Sequence, residues 1–105
     1  MNAIEKNASL TLGIIGVGLI GASVGLAQKK AKAFDKVLGV GRSQNNLDEA
    51  IKMGAIDHAV TLEQCAREAD VIVVCVPVAQ TFTVLHAIEP HIKANALITD
   101  AGSTK

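Results

Sequence analysis

The chain has 105 residues, 50% of them hydrophobic, and ten basic residues balance ten acidic ones. Its length bounds it to one domain at most, and the zero net charge gives no bulk field to attract nucleic acid or an anionic membrane. Because no uninterrupted apolar run could span a bilayer and no hydrophobic signal core opens the chain, we expect a cytoplasmic protein without membrane or nucleic-acid partners.

The first predicted strand, Thr11–Gly16, runs into a glycine-rich loop, Gly16-Val17-Gly18-Leu19-Ile20-Gly21. A helix is expected from about Leu19 to Lys30, with Gly21 and Gly25 on one face for close packing against the sheet. A GxGxxG motif between a strand and a helix is typical of a dinucleotide-binding turn. The glycines permit the turn, the approach of the pyrophosphate and close helix packing, while the helix N-terminus faces the phosphates.

The second predicted strand is Lys36–Gly41, and the helix after it is marked by Asn46 followed by Glu49, a capping arrangement. The apolar stripe of this helix is predicted to be Leu47, Ala50 and Ile51. Gly54 is its expected C-terminal stop.

Short elements follow in alternation. His58–Val60 is predicted as the third strand, and Thr61-Leu62-Glu63-Gln64 as a capping box that begins a short helix. Val71–Val76, apolar throughout, is the predicted central strand.

A further helix is predicted from about Gln80 to near Pro90, with an inward face of Phe82, Leu85 and Ile88, before a fifth strand, Ala96–Asp100. Gln80 is open to two interpretations, a cap of this helix or a cofactor contact.

Alternating strands and helices predict an α/β fold, a Rossmann-like doubly wound parallel sheet of five strands in the order 3-2-1-4-5. Its ligand crevice is expected at the carboxyl ends of strands 1 and 4. Residues 1–105 then form a partial dinucleotide-binding domain that stops before the rest of the domain. We expect the exposed apolar edge of such a sheet to favour self-association.

The end of the second strand indicates which dinucleotide is bound. An acidic residue that would select NAD is expected there, but the position holds Gly41. Arg42 and Ser43 follow and offer donors to a 2′-phosphate. NADP is therefore the predicted cofactor. NAD is the alternative, because an arginine at this point can instead cap the strand, point to solvent or stack on the adenine of either cofactor.

The cysteines and histidines carry no motif. Cys65 and Cys75, on a predicted helix and a predicted buried strand, lack the spacing of a metal or redox site, so we expect structural thiols and no metal. His58, His86 and His91 are expected to be surface or packing residues.

Several segments together resemble the amino-terminal half of the cofactor domain of the prephenate and arogenate (cyclohexadienyl) dehydrogenases of tyrosine biosynthesis. The glycine motif alone is widespread, whereas the ending Thr99-Asp100-Ala101-Gly102-Ser103-Thr104-Lys105 and the strand end Cys75-Val76-Pro77-Val78 are more specific. The resemblance also rests on Val40-Gly41-Arg42-Ser43, Gly54-Ala55-Ile56-Asp57 and Ala69-Asp70, and it covers nearly all of the chain after its first ten residues.

The resemblance implies NAD(P)-dependent oxidation of prephenate or arogenate by hydride transfer, with loss of carbon dioxide, in a homodimer. It implies that Ser103 lies beside the nicotinamide and hydrogen-bonds a catalytic histidine of a Gly-His-Pro segment. No such segment occurs in these 105 residues, and the helical dimerisation domain of the family has no counterpart in them either. We therefore expect the chain alone to be inactive, because hydride transfer from a hydroxyl needs a positioned base.

Motif and resemblance together define the predicted site. Ser103 is its catalytic residue. Lys105 is either site-adjacent or a solvated terminus, and Asp100 either borders the site or caps the following helix. The expected cofactor-binding residues are Gly16, Gly18, Leu19, Ile20, Gly21, Gly41, Arg42, Ser43, Val76, Pro77, Asp100 and Gly102.

Two other functions remain open at this point. One is an NADP-dependent reductase of the pyrroline-carboxylate reductase or β-hydroxyacid dehydrogenase type, which shares the glycine loop. The other is a non-catalytic module that senses NAD(P).

Overall fold

The structure, a computed structural model, describes residues 10–16, 23–27 and 34–100, except for the side chain of Asp100. The strands are β1 (Thr11–Ile15), β2 (Lys36–Val40), β3 (His58–Ala59), β4 (Val71–Val74) and β5 (Leu97–Asp100). The helices are α1 (described over residues 23–27), α2 (Gln44–Met53), α3 (Leu62–Glu68) and α4 (Val78–Ile88).

All strand pairs are parallel, and the sheet order is β3-β2-β1-β4-β5. This confirms the predicted Rossmann-like topology, because each return to a parallel neighbour needs a crossover connection. The observed strands are one or two residues shorter than predicted at some ends; β4, for example, stops at Val74.

Each face of the sheet carries its own apolar core. On one face Leu12, Ile14 and Val37 pack with Leu47 and Ala50 of α2. On the opposite face, other residues of β1 and β4 pack with α3 and α4. They include Ile15, Ile72 and Val74. Because both faces are covered, the central strands are continuous apolar runs, as parallel sheets require.

Helix α2 begins earlier than the sequence predicted. Its N-cap is Ser43, whose hydroxyl oxygen accepts a hydrogen bond from the Asn46 N–H at 3.3 Å. The prediction of Asn46 as the cap is wrong, because the serine three residues earlier takes that role. The C-terminal prediction is confirmed: Gly54 ends the helix at φ 84°. The stripe is narrower than predicted, since Ile51 is 42% exposed.

The predicted inward face of α4 is wrong at its first member. Ile88 is fully buried, but Phe82 is 79% exposed. A series with a spacing of three drifts by about 60° a step on a helix with 3.6 residues per turn, so Phe82 lies about 120° from Ile88. The inward face instead follows Thr81, Val84, Leu85 and Ile88, all of which are at least partly buried.

Gly25 of α1 packs closely, as predicted, but against a loop rather than the sheet. A Cβ at this position would overlap the carbonyl oxygen of Ala55, which lies between α2 and β3. The glycine therefore lets α1 approach the end of α2.

The helix α3 packs against β1 through a glycine and a cysteine. A Cβ on Gly13 would overlap the Cys65 Sγ and lie 3.0 Å from the Ala69 Cβ. Burial raises the pKa of the Cys65 thiol to about 12, so this group stays protonated. It is a structural thiol that fills the space above the glycine, as the sequence predicted.

Two aspartates join strands at the amino edge of the sheet. The carboxylate of Asp70 accepts from the Thr11 N–H at 2.8 Å and from Lys93 Nζ at 2.9 Å. Asp57 does the same for the next strand pair, accepting from the Val37 N–H at 2.8 Å. Both belong to segments of the family resemblance, and each accepts a hydrogen bond from an N–H in the first two residues of a neighbouring strand.

The described part of the chain contains no helix that combines the length and the apolar character needed to cross a membrane.

We predict that Asp70→Ala lowers the free energy of unfolding at pH 7 by about 1–3 kcal/mol, because a charged hydrogen bond is lost and the Thr11 N–H is left unsatisfied. The Lys93 ammonium, followed by the Thr11 N–H, holds the pKa of Asp70 below its usual value. This stabilisation is fully present above the unfolded-state pKa of about 3.9 and is lost as the pH falls through the native value.

Urea unfolding at pH 7 and in acid measures both effects, and the variant and the parent should converge at low pH. Asp48→Ala is the matched control, since this exposed aspartate of α2 accepts one hydrogen bond, from Gln44. Its expected effect is within about 0.5 kcal/mol. Equal losses in the two variants at pH 7 would contradict the role assigned to Asp70.

Candidate functional site: a cleft at the carboxyl edge of the sheet

A cleft of about 510 Å³ opens where β1, β2 and β4 end. It lies at the point where the strand order reverses between β1 and β4, which is where open α/β sheets bind ligands. Its described lining consists of Ile15, Gly16, Val40, Gly41, Arg42, Ser43, Asn46, Leu62, Cys75, Val76, Pro77, Gln80 and Val84.

Gly16 closes the inner end of the cleft. Its φ is 96°, and its N–H donates to the Val40 carbonyl oxygen at 2.7 Å. A Cβ at this position would lie 2.9 Å from both the carbonyl carbon and the oxygen of Cys75. Glycine is therefore required twice here, for the backbone conformation and for the close approach of the β4–α4 turn.

The β2 side of the cleft carries most of the polar groups. Gly41 stands at the strand end, Arg42 and Ser43 follow it, and Asn46 lies in the first turn of α2. Arg42 is exposed, and neither an ion pair nor a hydrogen bond links its guanidinium to the residues that the structure describes. No carboxylate is among the described lining residues, so an anionic group meets no repulsion from them.

The β4 side is mainly apolar. The Cys75 N–H donates to the Ile15 carbonyl oxygen at 2.7 Å, which continues the sheet pairing for one residue beyond β4. Cys75 thus lies just past the strand rather than in it, and it is only partly buried. Pro77 is the N-cap of α4 and makes no side-chain cap hydrogen bond, so the first turn of this helix starts at the cleft without a side-chain cap.

Six of the predicted site residues meet at this cleft: Gly16, Gly41, Arg42, Ser43, Val76 and Pro77. Gly18, Leu19, Ile20, Gly21, Gly102, Ser103 and Lys105 lie outside the described residues. Asp100 is the last residue of β5, and its side chain is outside them too. The roles of all these residues in binding stay predictions.

None of the three histidines, all of which the structure describes, lines the cleft. His58 is exposed on β3 and His86 is exposed on α4. His91 is partly buried, and its Nδ1 lies 4.0 Å from Glu63 Oε2. Within the described ranges, no three His, Cys, Asp or Glu side chains are grouped as metal ligands.

Six lining residues were not among the predicted site residues: Ile15, Val40, Asn46, Leu62, Cys75 and Val84. Leu62 could have been found, since the predicted cap at Thr61 already placed the start of α3 at the carboxyl end of β3. The cap itself is confirmed, because Thr61 Oγ1 accepts from the Gln64 N–H at 3.1 Å. Val84 carried no signal, because which flank of α4 borders the cleft depends on how the helix packs.

The parallel sheet, its strand order and the cleft at the reversal point define a Rossmann-like nucleotide-binding domain. Residues 24–105 match the family described as the prephenate dehydrogenase nucleotide-binding domain, and the chain belongs to that family.

One relative is a prephenate dehydrogenase of Lactococcus lactis, 46% identical over 94 residues that make up 88% of this chain and 26% of that protein. The chain thus spans about a quarter of the length of the curated relatives it matches.

Solved structures agree with this assignment. The Synechocystis arogenate dehydrogenase is 29% identical, with a TM-score of 0.79 over 91% of this chain and 34% of that one. The A. aeolicus prephenate dehydrogenase in complex with hydroxyphenyl propionate and NAD+ has a TM-score of 0.82 over 93% of this chain and 35% of that one. At 22% identity, the second likeness is evidence of the fold alone.

We predict that Gly16→Ala destabilises the chain clearly more than Gly54→Ala. Gly54 also has a positive φ, 84°, but a Cβ there meets no atom within 4 Å. Gly54→Ala should therefore cost only the backbone penalty of about 1–2 kcal/mol. Gly16→Ala should cost about 1–3 kcal/mol more, because the Cys75 backbone must move. Urea unfolding of the two variants measures the difference, and equal losses would contradict the close approach at Gly16.

Proposed function

We propose that this chain binds NADP in the cleft and is the cofactor-binding part of an enzyme that oxidises prephenate or arogenate. The observation that carries the proposal is a cleft closed by Gly16 at the strand reversal, in a chain 46% identical to the aligned part of a prephenate dehydrogenase. The proposed enzyme is a cytoplasmic homodimer of tyrosine biosynthesis. Neither alternative, a related reductase or a non-catalytic sensing module, has such support.

The described residues fit a dinucleotide. Gly16 leaves open the space that a side chain would fill, and the cleft has a volume of about 510 Å³. The guanidinium of Arg42, without a described partner, matches a phosphate, while the apolar wall at Val76 and Pro77 suits the nicotinamide side. When bound, the nicotinamide supplies an acceptor for the hydride that leaves the ring carbon bearing the hydroxyl.

The chain's own residues would bind and orient rather than abstract the proton. No histidine lines the cleft, so the base that takes the hydroxyl proton is proposed to come from outside these 105 residues. Oxidation makes the ring carbonyl; the carboxylate then leaves as carbon dioxide, and its bonding pair aromatises the ring. Ser103 is proposed to lie beside the nicotinamide, with Gly102 and Asp100 bordering the cofactor.

The preference for NADP rests on the end of β2. Gly41 stands where an acidic side chain would accept hydrogen bonds from the ribose hydroxyls of NAD and would repel a 2′-phosphate. Ser43 uses its oxygen as the acceptor in the α2 cap, so its hydroxyl hydrogen remains to donate to a phosphate. Arg42 adds a charge-assisted donor to the same group.

We predict that Arg42→Ala weakens NADP binding by about 1.5–3 kcal/mol and changes NAD binding much less, because only NADP carries the 2′-phosphate. Calorimetric titration of both dinucleotides into both proteins measures this. Arg67→Ala is the matched control, since Arg67 is an exposed arginine of α3 paired with Glu63 outside the cleft. Equal affinity of the parent chain for NADP and NAD would refute the role of Arg42.

The proposed reaction is tested by a hybrid in which this chain replaces the aligned region of the Lactococcus lactis prephenate dehydrogenase. We expect NADPH formation that depends on prephenate or arogenate, since the hybrid regains the segments that the chain lacks. Gly16→Ala in the same hybrid should abolish it. A folded hybrid that binds NADP but turns over neither substrate would favour the sensing module.

A further inference from the structure

Gln80, on the α4 flank of the cleft, is a polar residue whose side chain has no hydrogen-bond partner among the described residues. Gln80 lines the cleft and is partly buried. Its backbone N–H donates to the Pro77 carbonyl oxygen at 2.8 Å, but its side-chain amide makes no hydrogen bond to any residue of the described ranges. The cap interpretation of this glutamine is therefore not the one the structure adopts.

The contrast with two other glutamines of the described helices explains why this amide is unpartnered. Gln64, the third residue of α3, donates to Glu68 at 3.1 Å, and Gln44 of α2 donates to Asp48 at 3.0 Å. Each finds a carboxylate four residues on, where helix geometry puts a neighbour. Gln80 is the third residue of α4, but the residue four positions on is Val84, which offers no acceptor.

The position of Gln80 indicates which part of a ligand it would meet. It lies about 80° around α4 from the buried Ile88, on the opposite flank from the exposed Phe82, and this flank borders the cleft. A dinucleotide lies across the strand reversal, so its two halves rest on opposite sides of β1. With Arg42 and Ser43 on the β2 side for the adenosine half, the β4 side and Gln80 are left for the nicotinamide half.

We propose that the side-chain amide of Gln80 hydrogen-bonds the nicotinamide nucleoside half of the bound dinucleotide, whose ribose hydroxyls and carboxamide both match an amide, and so positions the ring. This assignment rests on the proposed function of the cleft. An amide that both donates and accepts pairs with these groups, whereas the phosphates only accept.

The test separates the two halves of the ligand. Gln80→Leu is titrated with NADP and with 2′,5′-ADP, which has the adenosine half and its 2′-phosphate but no nicotinamide. NADP affinity should fall about three- to tenfold, as for the loss of one neutral hydrogen bond, while 2′,5′-ADP affinity stays unchanged. Gln64→Leu, at the same helix position outside the cleft, should change neither, and the thermal midpoints report on folding.

An unchanged NADP affinity in Gln80→Leu would overturn the assignment, and so would an equal loss for NADP and 2′,5′-ADP, which would mean a general disturbance of the cleft. A parent chain that binds neither NADP nor NAD would overturn the proposed function as well. A parent chain that binds NADP normally, with a silent Gln80→Leu, would remove only the role of Gln80.

Discussion

The close approach of Gly16 to the backbone of Cys75 is the constraint on which the cleft depends. It brings the end of β1 against the turn between β4 and α4, while the hydrogen bond from the Gly16 N–H to Val40 ties the same point to β2. Three strand ends are thereby fixed around one residue without a side chain. The two walls of the cleft, one polar and one apolar, hold their separation because both are anchored at this point.

At the opposite, amino edge of the sheet, charged aspartate side chains hold the strands together, whereas at the carboxyl edge a glycine allows them to approach. Asp57 and Asp70 stand just before β3 and β4. The Asp57 carboxylate accepts from the N–H of Val37, the second residue of β2, and the Asp70 carboxylate accepts from the N–H of Thr11, the first residue of β1. At that edge side-chain carboxylates bond the strands, while at the carboxyl edge backbone groups bond each other and the guanidinium of Arg42 has no partner among the described residues.

The sequence was sufficient for the topology because its signals are local and repeated. The alternation of apolar strands with capped helices predicts the parallel order, and Gly54 and Thr61 cap helices where their residue types suggest. The sequence was insufficient where tertiary packing determines which residues are buried and which residue caps a helix. Phe82 fits an apolar spacing of three but lies outside the buried arc of α4, and Ser43 displaced Asn46 as a cap because both residue types suit the position. The same limit applies to the site: Arg42 and Pro77 follow from strand ends, whereas Val84 and Gln80 depend on the rotation of a helix.

The contact between Gly13 and Cys65 means that the side-chain size tolerated at one position depends on the residue at the other during evolution. The sulfur occupies the volume that any side chain at residue 13 would claim, with Ala69 closing the remaining gap. A methyl group gained at residue 13 forces the sulfur to move unless residue 65 has already become smaller, so the order of the two changes matters. Descendants of this chain should therefore carry compensating sizes at these positions, and a cysteine grafted onto a homologue with alanine at residue 13 should fit poorly.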